Sequence, residues 1–274
     1  MACISTVIIT RNEAKNIYDC IRSAQTVSDD VVVVDCGSED NTVALAEKAG
    51  ATVVQVQWQC YGHSRNTGAA AATYDWILAL DADERVSPEL ADYLQELSPE
   101  KNTVYAIKRT NYFAETPLRF GTPGFEKLTR LYHRHTAQWD LVPVHEKLQT
   151  SAKRKIIQTP ILHYGIDGLQ EHLQKKEWYA WLSAEKYRQQ QKQATIVKRF
   201  LAPAFDGLKS YLFQAGFLDG KKGWQIASTI TYYTWLKYHL LHQLNKEQAA
   251  QEKATLPTSV QPTSAVNPFF ARRG

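Results

Sequence analysis

Asp81-Ala82-Asp83 stands directly behind the apolar run Ile77-Leu78-Ala79-Leu80. Two carboxylates one residue apart, at the end of a buried strand, can hold one hard divalent cation, Mg2+ or Mn2+, against a diphosphate. Such ions take one or two carboxylates and complete their shell with phosphate oxygens. The plainer reading makes Asp83 a turn cap and Asp81 a solvated loop acid. Asp35 ends a run of four valines and precedes Gly37, Ser38, Asp40 and Thr42. A carboxylate at a strand end can accept hydrogen bonds from a nucleoside base or ribose. It can also cap the next helix, a task that Ser38 or Asp40 suits equally. Arg65, in Gly62-His63-Ser64-Arg65-Asn66, falls near an expected helix start, where its planar fork could meet a diphosphate. The alternative is a surface arginine on an amphipathic helix.

These residues need elements that bring them to one edge. Residues 4–10 carry the β-branched run of a buried strand, and residues 31–34 and 52–56 read the same way. Asn12 is an expected N-cap for a helix whose apolar positions are Ala14, Ile17, Tyr18, Ile21 and Ala24. Gly50 is a natural helix stop. An Ala-rich helix over 65–73 precedes a strand at 76–80, and Ser87-Pro88-Glu89 opens another helix to 97. This alternation predicts an α/β fold, a mostly parallel Rossmann-like sheet with flanking helices, with ligands at the carboxyl ends of the strands. From 103 to 163 the period becomes 2, which predicts a mixed or antiparallel extension of the sheet. Residues 169–193 and 196–246 read as helical. The division expected is a catalytic domain over 1–165, a helical extension over 166–246 and a disordered tail over 247–274.

The chain has 274 residues, with Lys+Arg 32 against Asp+Glu 28 and a net charge of +4. Hydrophobic residues at 44% and charged residues at 22% exclude a disordered or fibrous chain. So mild a charge argues against wrapping a polyanion, and nucleic acid would leave Asp35 and Asp83 without a role. Cys3, Cys20, Cys36 and Cys60 form no CxxC pair and read as reduced thiols in a cytosolic protein. The N-terminus lacks a basic stretch before its apolar run, which argues against a signal peptide. No run of about 18 apolar residues suggests a membrane span.

Ile8-Ile9-Thr10-Arg11-Asn12-Glu13, Val33-Val34-Asp35-Cys36-Gly37-Ser38, Arg65-Asn66 and Asp81-Ala82-Asp83 resemble the family 2 inverting glycosyltransferases. The likeness is strong over 4–88 and looser over 130–179. Val144-His145-Glu146 and Phe217-Leu218-Asp219-Gly220 look like the branch that builds bacterial lipopolysaccharide cores, adding β-linked glucose from UDP-glucose. The resemblance implies a GT-A fold, a nucleotide-sugar donor and a divalent metal. It places Thr10, Asn12, Glu13 and Asp35 around the nucleoside, Arg65 and Asn66 near the donor phosphates or ribose, and Asp81 at the ribose. Asp83 becomes the metal ligand, and His163 a further metal or diphosphate contact beside its plain structural reading. Many members carry two adjacent acids where this chain has Asp35 and Cys36.

Inverting transfer needs a base for the acceptor hydroxyl and charge stabilisation on the departing diphosphate. The cation at Asp83 would supply the second. Glu146, behind an expected short strand at 142–144, is the candidate base; Asp140 is the alternative, and a surface pair of Glu146 with Lys127 or Lys147 the plain reading. Basic Lys198, Lys209, Lys221 and Lys222 interleave with aromatic residues such as Trp224 and Trp235, which suits an anionic bilayer surface or a packed helical hairpin. The sequence thus reads as a cytoplasmic hexosyltransferase, peripheral on the inner face of a bacterial inner membrane. Its partners would be a nucleotide sugar and a lipid-linked saccharide acceptor. A polyprenyl-phosphate hexosyltransferase is the nearest rival, and a non-catalytic membrane adaptor would leave the acidic clusters unused.

Overall fold

The structure is a computed structural model that describes residues 3–142 and 146–255. Strands β1 (Ile4–Thr10), β2 (Asp30–Asp35), β3 (Thr52–Gln55) and β4 (Trp76–Asp81) pair in parallel in the order β3-β2-β1-β4. Helices α1 (Ile17–Ala24), α2 (Thr42–Lys48) and α3 (Tyr61–Ala71) make the crossovers. A parallel sheet is covered on both faces, so its strands are largely apolar. Alternation then sorts the side chains. Ile8, Val33 and Leu80 pack with Ile17 and Ile21 of α1, while Val7, Val34 and Ala79 pack on the other face with Ala69 of α3.

Beyond β4 the sheet changes sense. The further elements are β5 (Glu84–Val86), α4 (Pro88–Glu96), β6 (Thr103–Phe113), β7 (Thr116–Leu118), β8 (Lys127–His133), β9 (Ala137–Trp139), β10 (Leu148–Thr150) and β11 (Lys153–Ile166). The order runs on as β4-β8-β6-β11-β5, with β8 antiparallel to both β4 and β6 and β11 parallel to β6. The expected mixed extension is therefore present. Strand β5 pairs antiparallel with β11 and sets Glu84 opposite His163. Strands β9 and β10 form a separate hairpin-like pair.

Helix α5 (Leu169–Gln189) follows β11. Helix α6 (Ile196–Leu208) leads through a π-helical turn (Lys209–Phe213) and a 3-10 turn (Gly216–Asp219) into α7 (Gly220–Thr255), and both α5 and α6 pack on α7. Among the described residues no helix is long and apolar enough to cross a membrane.

Several expectations change. Asn12 does not cap α1. It lies at φ 55, and the cap position is Asn16. Asn tolerates the left-handed region better than most residues, and here its side-chain oxygen accepts the N–H of Glu39, from the loop after β2. Helix α3 begins at Tyr61, ahead of the expected 65, so Arg65 lies in its second turn. His163 is inside β11 and not at its end. Helix α7 continues to Thr255, past the boundary at 246, because Glu247-Gln248-Ala249-Ala250 are good helix formers. Of the strand expected at 142–144, residues 143 and 144 lie outside the described residues, as do His145 and the tail from 256.

Gly68 lets α3 sit close to the sheet. A Cβ there would drive into Val7 Cγ1 and lie 2.8 Å from Val34 Cγ2. Gly68→Ala is expected to destabilise the fold by about 1–3 kcal/mol, the usual cost of overpacking. A lowered urea midpoint measures it, and an unchanged midpoint would show that α3 has room to move.

Candidate active site

The parallel register delivers three acids or hydroxyls to one edge. Thr10 of β1 pairs with Asp35 of β2, and Ile9 with Asp81 of β4. These are the carboxyl ends of strands at a point where the sheet order reverses, the place where open α/β sheets bind ligands.

Asp81 is clamped from two sides. Arg65 Nη2 donates to its Oδ1 at 2.6 Å and Arg130 Nη2 to its Oδ2 at 2.7 Å. Arg130 also reaches Glu84 Oε1 at 2.6 Å, Arg109 Nη1 reaches the same oxygen at 3.2 Å, and Arg109 Nη2 pairs with Glu126 at 2.6 Å. Burial raises the Asp81 carboxyl, but Arg130, Arg65 and Arg109 outweigh it and hold it well below the ordinary carboxylate range. Glu146 joins at the outer end, where Arg65 Nε donates to its Oε1 at 3.4 Å. Arg65 also lies 4.9 Å over the Trp139 ring, and its buried Nη1 has no partner among the described residues. A buried guanidinium N–H without an acceptor is costly, and a ligand oxygen at this edge would satisfy it.

Asp83 faces a second group. His163 Nε2 lies 3.3 Å and Lys175 Nζ of α5 lies 3.2 Å from Asp83 Oδ2. Burial raises this carboxyl too, and His163 and Lys175 more than reverse the effect. The imidazole is oriented by Asn111. Its Nδ2 donates to Pro123 O and Glu126 Oε2, so its Oδ1 meets His163 Nδ1 at 2.6 Å and that nitrogen carries the hydrogen. Nε2 then faces Asp83 Oδ2, and fixing one ring nitrogen through a second partner is the arrangement that orients a ligating histidine.

A cation fits here. Among the described residues no three His, Cys, Asp or Glu side chains converge as metal ligands, so the donor set is the pair Asp83 and His163. Gly165 packs directly against the pair: a Cβ there would stand 2.5 Å from His163 Nε2 and 3.0 Å from Asp83 Oδ2, so any side chain would displace them. One carboxylate and one imidazole would suit an ion that takes its other ligands from a diphosphate.

The remaining candidates divide. Asp35 is buried and accepts from Gly37 N and Ser38 N, so it also builds its own turn. Thr10 is buried with its Oγ1 unpartnered among the described residues. Asn12 is exposed, and its N–H donates to Ser38 Oγ. Glu13 accepts from Asn16, and burial pushes its carboxyl up. Asn66 bonds Trp139 in both directions, Nδ2 to its carbonyl and Oδ1 from its N–H, so its visible work is to hold β9. Asp140 accepts from Lys147 N and Gln149 Nε2. Glu146 pairs with Arg65, and among the described residues with neither Lys127 nor Lys147.

Sequence reasoning passed over Arg130, Glu84, Arg109, Glu126, Asn111, Lys175 and Gly165. One local signal existed: Arg130 interrupts the apolar end of β8, and a charge in mid-strand implies a buried partner. Glu84 adjoins the Asp81-Ala82-Asp83 cluster and accepts the Asp81 N–H; the others carry no local signal, since their partners lie far off in sequence.

Comparison with known proteins adds the lineage. The family model described as glycosyl transferase family 2 matches residues 5–159. An uncharacterized glycosyltransferase of Rickettsia felis is 27% identical over 270 residues, covering 92% of this chain and 95% of its own length. The lipopolysaccharide core biosynthesis glycosyltransferase LpsC of Rhizobium meliloti is 25% identical over 249 residues, 88% of this chain and 92% of its own. The crystal structure of S. aureus TarS 1-349 superposes with a TM-score of 0.47 at 14% identity, over 90% of this chain and 92% of that one.

Two outcomes test the site. Gly165→Ala is expected to abolish Mn2+ binding, read by titration calorimetry with the diphosphate nucleotide present, while circular dichroism stays unchanged; Asp83→Asn should do the same by replacing a charged ligand with a neutral one. Unaltered Mn2+ affinity in both would remove the cation from this place. The second outcome concerns acid. Asp81 and Asp83 lie below their ordinary value of 3.8 when folded, so their stabilisation is complete above that value and is lost as pH falls through the folded range. Arg130→Leu should cost about 3–5 kcal/mol at neutral pH by stranding buried charge. The deficit against wild type should narrow in acid, as the stranded Asp81 takes up a proton. Urea midpoints at pH 7 and pH 3 measure both effects, and a constant deficit would sink the argument.

Proposed function

The chain belongs to glycosyl transferase family 2, and on that premise we propose that it moves a hexose, glucose from UDP-glucose, onto a lipid-linked saccharide such as a lipopolysaccharide core, with inversion at the anomeric carbon. The observation that carries this reading is the meeting of Arg65, Asp81 and Glu146 with the Asp83–His163 pair at one edge of the sheet. The printed name of the Rhizobium meliloti relative supports the choice of acceptor.

Thr10, Asn12, Glu13 and Asp35 line the nucleoside end of the crevice, and Asn66 sets the strand beside it. Asp81, held rigid by two guanidiniums, meets the ribose. The unpartnered Nη1 of Arg65 is the donor for an oxygen of the sugar nucleotide. Asp83 and His163 hold the divalent cation, Mg2+ or Mn2+, which when bound offsets the charge of the departing diphosphate. Lys175, beside Asp83, adds a positive charge at the same place. Glu146 accepts the proton of the acceptor hydroxyl as its oxygen forms the bond to the anomeric carbon, and the bond from that carbon to the diphosphate breaks. Arg65 orients the Glu146 carboxylate for this task. The site of action proposed is the cytoplasmic side of a bacterial inner membrane, with the C-terminal helices toward its anionic surface.

Glu146→Gln is expected to reduce kcat by about 10²–10⁴-fold, the usual span of general base catalysis, with donor binding little changed. The assay is transfer from UDP-glucose with Mn2+, the product anomer being read by NMR. A collapse of donor affinity without loss of kcat would make Glu146 a binding residue. An acceptor that is already an anionic phosphate needs no base, so indifference of kcat to the change would favour the polyprenyl-phosphate reading.

A further inference from the structure

Helix α6 is oriented against the usual rule. An amphipathic surface helix turns its apolar stripe to the core. Here the buried positions are Pro203 and Gly207, and a Cβ on Gly207 would collide with Thr231 Oγ1 of α7. The small side of α6 is thus what packs on α7, and the large apolar side faces outward. Ile196 is 75% exposed, Phe205 59% and Phe213, just beyond the helix, 79%; Phe200, Leu201 and Leu208 are exposed with them.

The charges around this face are arranged in one sense. Between 196 and 224 the acids are Asp206 and Asp219. Both are turned inward: Asp206 accepts from Thr234 Oγ1, and Asp219 accepts from the N–H groups of Arg119 and Phe120. Lys198, Lys209 and Lys221 are exposed and in no ion pair among the described residues. Trp224, half exposed, meets Tyr211 edge-on at the rim. An apolar face rimmed by cations and an aromatic edge, with its acids withdrawn, complements an anionic lipid surface.

We propose that the outward face of α6, continued by Phe213 and Trp224, is the element that docks the protein on an anionic bilayer. It deepens the reading of a lipid-linked acceptor and names the surface that brings the enzyme to it. It also changes which residues matter. Lys222 is not a surface contact, because its ammonium donates to Phe113 O and Thr116 Oγ1. Trp235 stacks on Tyr232 and His239. The docking element is tied to the site by backbone: Thr122 N donates to Ser210 Oγ, Gly121 N to Gln214 O, and the adjoining Pro123 carbonyl fixes Asn111, which orients His163.

The test is sedimentation of the full chain with vesicles of phosphatidylglycerol and phosphatidylcholine, or phosphatidylcholine alone, with Trp fluorescence recorded alongside. Wild type is expected to pellet with the anionic vesicles and to shift its emission to the blue. Phe205→Ser with Phe213→Ser should weaken this by about tenfold or more, and Lys198→Glu with Lys209→Glu should do so in a salt-dependent way. Hydrolysis of UDP-glucose should persist in both pairs, which shows that they fold. Wild type left in the supernatant at low salt overturns the proposal. So does undiminished pelleting of the Phe pair, or a wild-type dimer in the ultracentrifuge that the Phe pair abolishes, since a second copy would then cover the face. Vesicle binding without any donor hydrolysis would reject the transferase reading and leave the docking face standing.

Discussion

The Arg130 guanidinium, wholly interior, lies between Asp81 and Glu84, and the rest of the site depends on that placement. Carboxylates at the carboxyl edge of a parallel sheet are what a nucleotide ligand needs, yet several of one sign taken out of water would be prohibitive. The structure alternates them: Glu146, Arg65, Asp81, Arg130, Glu84, Arg109 and Glu126 follow one another through direct contacts. Asp81 comes from β4 and Glu84 from β5. The positive members come from α3, β6 and β8. Strands β6 and β8 thus bring counter-charge to the acids that follow the parallel strands.

That division explains why the two halves cannot be read as independent parts. Glu126, at the foot of β8, accepts from Arg109 and Asn111, and Asn111 sets the imidazole that faces Asp83. The segment between β7 and β8 is in turn held by hydrogen bonds that its N–H groups donate to Ser210 and Gln214, beyond α6. A line of contacts runs from the C-terminal helices to the second acid of Asp81-Ala82-Asp83. Helix α5 closes it from above through Lys175 and through Tyr179, whose hydroxyl meets that of Tyr61.

What was legible in the sequence follows from the range of the interactions. The strands of the parallel half announce themselves by β-branched runs, and their end residues Thr10, Asp35 and Asp81 follow from the strand ends, all local properties. The antiparallel extension was legible as a change of period. Register was not, and register alone decides that Arg130 meets Asp81 and that His163 stands opposite Glu84. Asn12 was misjudged because a good capping residue is also one that tolerates a left-handed backbone. Gly165 carries no signal at all, since its importance is the absence of an atom. For the C-terminal helices the interleaving of basic and aromatic residues was visible in the sequence, but which side of α6 turns outward depends on the close approach at Gly207, a tertiary fact.

Lys175 is a tethered counter-ion. Burial works against its charge, but Asp83 and Glu13 prevail and keep it an ammonium. It does not leave Asp83 by losing its proton at neutral pH, so the divalent ion proposed for Asp83 would meet a competitor already in residence at fixed effective concentration. The affinity for such an ion would then be the intrinsic affinity reduced by the fraction of molecules in which Lys175 has swung aside. A diphosphate would give the displaced ammonium somewhere to go, and on the proposed reading nucleotide and ion would each raise the occupancy of the other through one flexible side chain.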